Sequence, residues 1–189
     1  MQIRLILTDF DGTLVDTKEA NFMAYCEVLK EFGYALTSEK YNAVFGLRLN
    51  EFLECIGITN PKTVEQIRQQ KKNVYPRYFS HVRLNKTLLD FITRFKTTGC
   101  KIGLVSTAQR HNILKILEYF SMMNQFDIIV SGNEISIAKP DPSAYIYAMK
   151  QIGCKVEETL IFEDSNTGIE AAKKAGSAYI KIDHAFFEH

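Results

Sequence analysis

The sequence predicts an α/β protein: a doubly wound (Rossmann-like) parallel sheet core with an inserted helical cap subdomain. Three observations carry this prediction. Five short apolar runs, rich in Ile, Val, Leu and Phe, have the length of buried strands. Helical periodicity fills the intervals between the last four, and such alternation implies a parallel sheet covered on both faces. Between the first run and the second lies a stretch of helical character, about residues 15–84, too long for one crossover.

The first strand is expected over Ile3–Phe10 and ends in Thr8-Asp9-Phe10-Asp11-Gly12-Thr13. In the inserted stretch, Phe22, Tyr25, Cys26, Leu29 and Phe32 make an apolar stripe ending at Gly33. Asn50 can cap a short helix ending at Gly57, and Asn60-Pro61 starts another that is interrupted near Pro76. No strand is expected here. Leu88, Leu89, Ile92 and Phe95 then share one helix face before Gly99. The second strand, Lys101–Ser106, leads into a helix from about Gln109 that carries Ile113, Leu114, Leu117 and Phe120. The third strand, Phe126–Ser131, precedes Asp141-Pro142, a helix start with proline at the first helical position, and Tyr145, Met149 and Ile152 line that helix up to Gly153. Thr159–Glu163 is the fourth strand, Thr167 to Lys174 the last helix, and Ala178–Ile182 the fifth strand. The domains expected are therefore a core of residues 1–14 and 85–189 and an inserted helical unit of residues 15–84.

Composition bounds the function. A chain of 189 residues, 46% hydrophobic, can bury one sizeable core or one core with a small insert. No apolar stretch approaches the roughly 20 residues that span a bilayer. The opening apolar segment is too short and too soon acidic for a signal peptide. With 23 basic and 22 acidic residues the net charge is +1, which gives no electrostatic reason to expect nucleic-acid binding. The densest basic stretch, Arg68 with Lys71-Lys72, reads as a solvated helix face. Cys26, Cys55, Cys100 and Cys154 form no Cys-x-x-Cys pair and read as small buried residues in a reducing, cytoplasmic setting. In the tail, His184 to His189 fit no zinc motif, and Phe186 and Phe187 are expected to pack on the sheet edge or a neighbouring chain. No nucleic acid and no membrane is expected as a partner, and the chain is expected as a monomer or a homodimer.

Chemistry concentrates at the strand ends. Ligands of open parallel sheets sit outside the carboxyl ends of the strands. Asp9 and Asp11, two apart at the end of a strand, point the same way, and burying two anions together is costly without a cation or a chemical task. The second strand delivers Ser106-Thr107-Ala108 at a helix start, where small hydroxyls and backbone N–H groups suit a phosphate oxygen. Lys139 lies in a proline-stiffened loop, where its ammonium can neutralise a carboxylate and a phosphoryl oxygen. The fourth strand ends in Glu163-Asp164-Ser165-Asn166-Thr167-Gly168, a second acidic pair at the same edge. Hard oxygen ligands of this kind suit Mg²⁺.

Asp9-Phe10-Asp11-Gly12-Thr13-Leu14-Val15-Asp16, Ser106-Thr107-Ala108, Lys139-Pro140-Asp141-Pro142 and Glu163-Asp164-Ser165-Asn166-Thr167-Gly168 resemble the four motifs of the haloacid dehalogenase superfamily, over essentially the whole chain. Within it, the sequence is most similar to the phosphoglycolate phosphatase and β-phosphoglucomutase-like branch. The resemblance implies a Mg²⁺-dependent phosphatase acting on a small phosphorylated metabolite, the expected partner. It makes Asp9 the nucleophile that becomes an aspartyl phosphate and Asp11 the acid and base. It makes Ser106, Thr107 and Lys139 the phosphate-binding residues. Mg²⁺ would be held by Asp9, the Asp11 main-chain carbonyl and Asp164, with Glu163 a supporting or water-mediated ligand. It also implies a mobile cap, with hinges near residues 14–17 and 82–86. The second Asp, Asp11, disfavours dehalogenation. A phosphomutase or phosphotransferase is the alternative within the superfamily, weakened because that branch carries a histidine where this chain has Asn21 and a Gly-x-x-Arg where this chain has Gly46-Leu47-Arg48. A non-catalytic phosphate-binding or regulatory protein is the alternative of another class.

Overall fold

The computed structural model describes residues 2–183 and Phe187. In chain order the elements begin with β1 (Leu5–Thr8), β2 (Val15–Asp16) and the helices α1 (Lys18–Glu31), α2 (Ser38–Val44), α3 (Leu49–Cys55) and α4 (Pro61–Val74). A 3₁₀ segment, Tyr75–His81, leads to β3 (Arg83–Leu84). Then follow α5 (Lys86–Arg94), β4 (Lys101–Val105), α6 (Arg110–Tyr119), β5 (Ile128–Val130), α7 (Ser143–Ile152), β6 (Thr159–Glu163), α8 (Asn166–Ala175) and β7 (Ala178–Lys181). The chain divides into two compact units, Met1–Asp16 with Leu84–His189, and Thr17–Arg83.

The larger unit is built on a five-stranded parallel sheet in the order β5-β4-β1-β6-β7. β1 is central and every one of its residues is buried. Side-chain alternation splits the core in two. Leu5 and Leu7 join Val105, Val130, Ile161 and the buried faces of α7 and α8. Ile6 joins Leu88, Ile92, Ile102 and Phe162. The order reverses at β1, because β4 and β5 extend the sheet on one side and β6 and β7 on the other. That reversal is the switch point at which doubly wound sheets open a crevice. The register sets Thr8 opposite both Leu104 and Phe162, so Asp9, Val105 and Glu163 arrive at one level beyond it.

Several helix boundaries differ from the sequence reading. α7 begins one residue later than expected, but the Asp141-Pro142 start holds: the Asp141 carboxylate accepts the Ser143 N–H (2.9 Å), and Pro142 already has helical dihedrals (φ −77°, ψ −6°). Asn50 lies inside α3, whose N-cap is Arg48 with Glu51 accepting the Arg48 N–H. β2 and β3, two residues each, pair in a small ribbon that no sequence window of that length reveals.

In the helical unit, Asn60 caps α4 by accepting the N–H groups of Lys62 (3.0 Å) and Thr63 (3.1 Å). The face of α1 that is wholly buried is Ala20, Ala24 and Val28 with Leu29, while Phe22, Tyr25 and Cys26 are half-buried. Tyr41 sits among the rings of Phe22, Tyr25, Phe45 and Phe52. Lys71 corrects the expectation of a solvated basic face. Its side chain is buried, its Nζ donates to Asn21 Oδ1 (2.5 Å), and it lies 4.6 and 4.0 Å from the ring centres of Tyr25 and Tyr75. Arginine and lysine stems are long enough to bury themselves when aromatic faces receive the charge. Cys100 is buried, Cys26 and Cys154 are half-buried, Cys55 is exposed, and all four are free thiols. Phe187 is buried, whereas 184–186, 188 and 189, with the packing expected of Phe186, lie outside the described residues. Among the described residues no helix is long and apolar enough to cross a membrane.

Candidate active site

Asp9 is the first residue past β1. Its N–H still donates to Phe162 O (2.9 Å), so the ladder with β6 fixes its backbone. Phe10 is buried and the chain then turns: Leu14 N and Val15 N both donate to Phe10 O, and Gly12 N donates to Val15 O (2.7 Å). Gly12 has φ +95°, a conformation open to glycine at low cost. A Cβ at that position would stand 2.3 Å from Asp164 Oδ2. The missing side chain is what lets Asp164 approach the turn, and Thr13 Oγ1 donates to Asp164 Oδ1 (2.9 Å) to hold it there.

Lys139 reaches the same place from the loop before α7. Its side chain is 6% exposed and its three protons have three acceptors: Asp9 Oδ1 (2.5 Å), Glu163 Oε1 (2.5 Å) and the Val105 carbonyl (3.4 Å). Glu163 is the last residue of β6 and is wholly buried. Its Oε1 also accepts from Tyr145 Oη (2.8 Å), and its Oε2 accepts from Ser165 N and Ser165 Oγ (3.1 Å each). The Tyr145 ring lies 5.0 Å from Lys139 Nζ. Ser165 in turn caps α8 by accepting the Gly168 N–H (3.0 Å). A Cβ on Gly168 would fall 1.8 Å from Glu163 Oε1, so the first turn of α8 forms the wall behind this carboxylate.

Ser106 follows β4 and is buried, with its N–H donating to Val130 O (2.9 Å). Its Oγ accepts the Ala108 N–H (3.0 Å) and stands 3.4 Å from Asp11 Oδ2. Thr107 is half-buried beside it. A latch ties this loop to the one after β5. Gly132 N donates to Ala108 O (2.9 Å), Arg110 Nη1 donates to Glu134 Oε1 (2.8 Å), and Glu134 Oε2 accepts the Ser131 N–H (2.8 Å). Neither Tyr145 nor the Arg110–Glu134 pair was singled out from sequence as part of a site. Tyr145 reads as one more apolar residue of a helix face, and its hydroxyl is the part that matters.

The sequence-predicted residues thus fall into two groups within the larger unit. Asp9, Lys139, Glu163 and Asp164 form one cluster, and Asp11 with Ser106 stands beside it. The cluster carries more negative than positive charge. Burial pushes the Asp9 carboxyl well above the usual carboxylate range, and the like charges of Glu163 and Asp164 add to this against the pull of Lys139. Burial alone would lower Lys139, but the attraction of Asp9, Tyr145 and Glu163 outweighs it and keeps the ammonium protonated. Burial likewise raises the Tyr145 phenol, which stays a donor. Carboxylate oxygens of Asp9, Glu163 and Asp164 lie within 4.8 Å of one another. Hard oxygen donors, an excess of negative charge and a glycine that opens room beside Asp164 are what a small divalent cation requires, so the residues present fit Mg²⁺.

Fold and site together define a doubly wound α/β protein whose acidic and basic groups converge at the switch point of the sheet. The haloacid dehalogenase-like hydrolase family model matches residues 6–182, and the chain belongs to that family. It is 27% identical over 177 residues to a phosphorylated carbohydrates phosphatase of Thermotoga maritima, covering 90% of this chain and 81% of that one. It is 27% identical over 192 residues to the phosphoglycolate phosphatase of Aquifex aeolicus, covering 96% and 88%. The crystal structure of CbbY from Rhodobacter sphaeroides in complex with phosphate superposes with a TM-score of 0.86 at 24% identity, covering 97% of this chain and 88% of that one, a likeness of fold.

Proposed function

We propose that this hydrolase is a Mg²⁺-dependent phosphatase of small phosphorylated metabolites, working through an aspartyl phosphate on Asp9. One observation carries the reading: a buried carboxylate, Asp9, is held 2.5 Å from a buried ammonium beside a further acidic residue, Asp164, at the carboxyl edge of a parallel sheet. The curated relatives named as phosphatases support it.

An oxygen of Asp9 attacks phosphorus as the bond from phosphorus to the ester oxygen breaks. Asp11 gives its proton to the departing oxygen, then takes one from the water that attacks the aspartyl phosphate. Phosphate leaves and both carboxyl groups return to their starting states. Ser106 and the N–H groups near Thr107 bind the phosphoryl oxygens. Lys139 supplies a further donor by exchanging its loosest contact, the 3.4 Å one to Val105 O, for a phosphoryl oxygen. Asp9, the Asp11 carbonyl and Asp164 would hold Mg²⁺, which supplies charge neutralisation when bound. Several groups are required because phosphate-monoester hydrolysis can need acceleration of up to about 10²¹-fold, whereas an acid gives about 10²–10⁴ and one donor about 10²–10³.

Hydrolysis is favoured over transfer to a sugar because Asn21, which stands where the mutase branch carries histidine, cannot act as an acid or base. Its amide is committed to Thr17 Oγ1 (3.0 Å) and Lys71 Nζ (2.5 Å). Selection among phosphate esters is assigned to the inserted helical unit. The test is phosphate release from a panel of sugar phosphates, phosphoglycolate, nucleotides and pyrophosphate, with and without Mg²⁺, using Asp9→Asn as blank. Metal-dependent release above the blank is expected. Release no faster than the blank across the whole panel would overturn the assignment.

A further inference from the structure

We infer that Glu163 is a positioning residue that holds the Lys139 ammonium against Asp9 and gives no oxygen to the metal. The metal half of this inference rests on the phosphatase reading, and the ammonium half rests on the geometry alone.

A carboxylate offers about four lone-pair directions. Glu163 has four donors on them: Lys139 Nζ and Tyr145 Oη on one oxygen, Ser165 N and Ser165 Oγ on the other. None of these is loose. Glu163 and Tyr145 are both wholly buried. Ser165 is the N-cap of α8, and the Gly168 position stands against the carboxylate. For Glu163 to ligate a cation it would have to break one of these bonds in a space without room to turn. Asp164 differs, since it is half-buried and oriented by the Thr13 hydroxyl. Proximity of the three acidic residues therefore overstates the ligand set. Lys139 explains what Glu163 does instead. The two short contacts of the ammonium, 2.5 Å each, go to Asp9 and Glu163, and its third, to the Val105 carbonyl, is the loose one, so Glu163 is the acceptor that keeps the ammonium beside Asp9.

The test has a metal arm and a metal-free arm. In the first, Mg²⁺ affinity is measured calorimetrically for wild type, Glu163→Gln and Asp164→Asn. Outer-shell changes cost about 10–100-fold in metal affinity, so the comparison is relative. Glu163→Gln is expected to bind at least about tenfold more tightly than Asp164→Asn, and equal losses would overturn the proposal. In the second, thermal unfolding without metal is followed for Lys139→Met, Glu163→Gln and the double variant. The expected result is strong coupling, with the double variant losing clearly less than the summed losses of the singles. Additive losses would overturn it. Should Glu163→Gln alone fail to fold, rescue by Lys139→Met is expected, and absence of rescue counts against the proposal. A wild-type protein that binds no Mg²⁺ would remove the metal assignment under the phosphatase reading, while the metal-free arm still decides the hold on Lys139.

Discussion

Lys139 and Lys71 both bury their ammonium groups, one in each unit of the chain, and they do it by opposite means. Lys71 rests on a neutral amide oxygen and two tyrosine faces. Lys139 lies between two carboxylates, with a third nearby. Neutral acceptors tolerate a cation without asking for another. An excess of carboxylates does ask for one, because each added anion raises the cost of the rest. The contrast separates burial that packs a helix from burial that prepares chemistry.

The largest effect that can break the comparison is on turnover. Asp9→Asn is expected to lower phosphate release by about 10⁴-fold or more, as loss of a covalent nucleophile does. Assays of the purified variant at saturating substrate check this. Next comes stability. Lys139→Met leaves buried carboxylates without their ammonium and should cost about 3–5 kcal/mol, roughly 6–20 °C in Tm for a chain of this size. Lys71→Met exchanges aromatic and amide contacts for an apolar stem and should cost only about 1–2 kcal/mol, roughly 2–8 °C. Calorimetry of the two variants side by side would erase the contrast if their losses were equal.

A pH series sharpens the point. The Asp9 carboxyl is raised in the folded, metal-free protein, first by burial and then by Glu163 and Asp164. Its contribution to stability is thus complete below the ordinary carboxylate pKa of about 4 and is lost as pH rises through the raised folded value. Without metal, the Tm of wild type minus that of Asp9→Asn should fall as pH is raised from about 4 to neutrality, and Mg²⁺ should remove the fall. A difference independent of pH would show that Asp9 carries no such strain. The smallest effect concerns thiols. Burial raises Cys26, Cys100 and Cys154, so alkylation followed by mass spectrometry should modify exposed Cys55 first and Cys100 last.

β1, β4 and β6 were legible because strands buried in a parallel sheet leave apolar runs, whereas β5 is largely half-buried and β7, expected to be buried, is exposed along its length. Thr159–Glu163 is found with the bounds expected, and β1 only loses its ends, Ile3 to Arg4 and Asp9 to Phe10. Asp9, Glu163 and Asp164 were legible because charged residues at apolar strand ends have few structural reasons to be there, and Lys139 because it lies in a proline-stiffened loop leading to the same sheet edge. What escaped notice depends on partners distant in sequence. Lys71 reads as a surface residue until Tyr25, 46 positions earlier, and Asn21 meet it. Tyr145 reads as apolar until its hydroxyl meets Glu163. The α1 stripe holds only in part: Leu29 is buried as expected, but Phe22, Tyr25, Cys26 and Phe32 are half-buried, and the wholly buried face includes the small residues Ala20 and Ala24.

The hydrogen atom that stands in for a side chain at position 168 ties two places in the sequence into one heritable unit. Even a methyl group there would occupy the volume that the position-163 carboxylate now fills. In a randomised library, alanine or anything larger at 168 should survive only alongside a shortened residue at 163, and lineages that drift at one would drift at the other. Tolerance at 168 then becomes a genetic gauge of whether the acid at 163 is still needed.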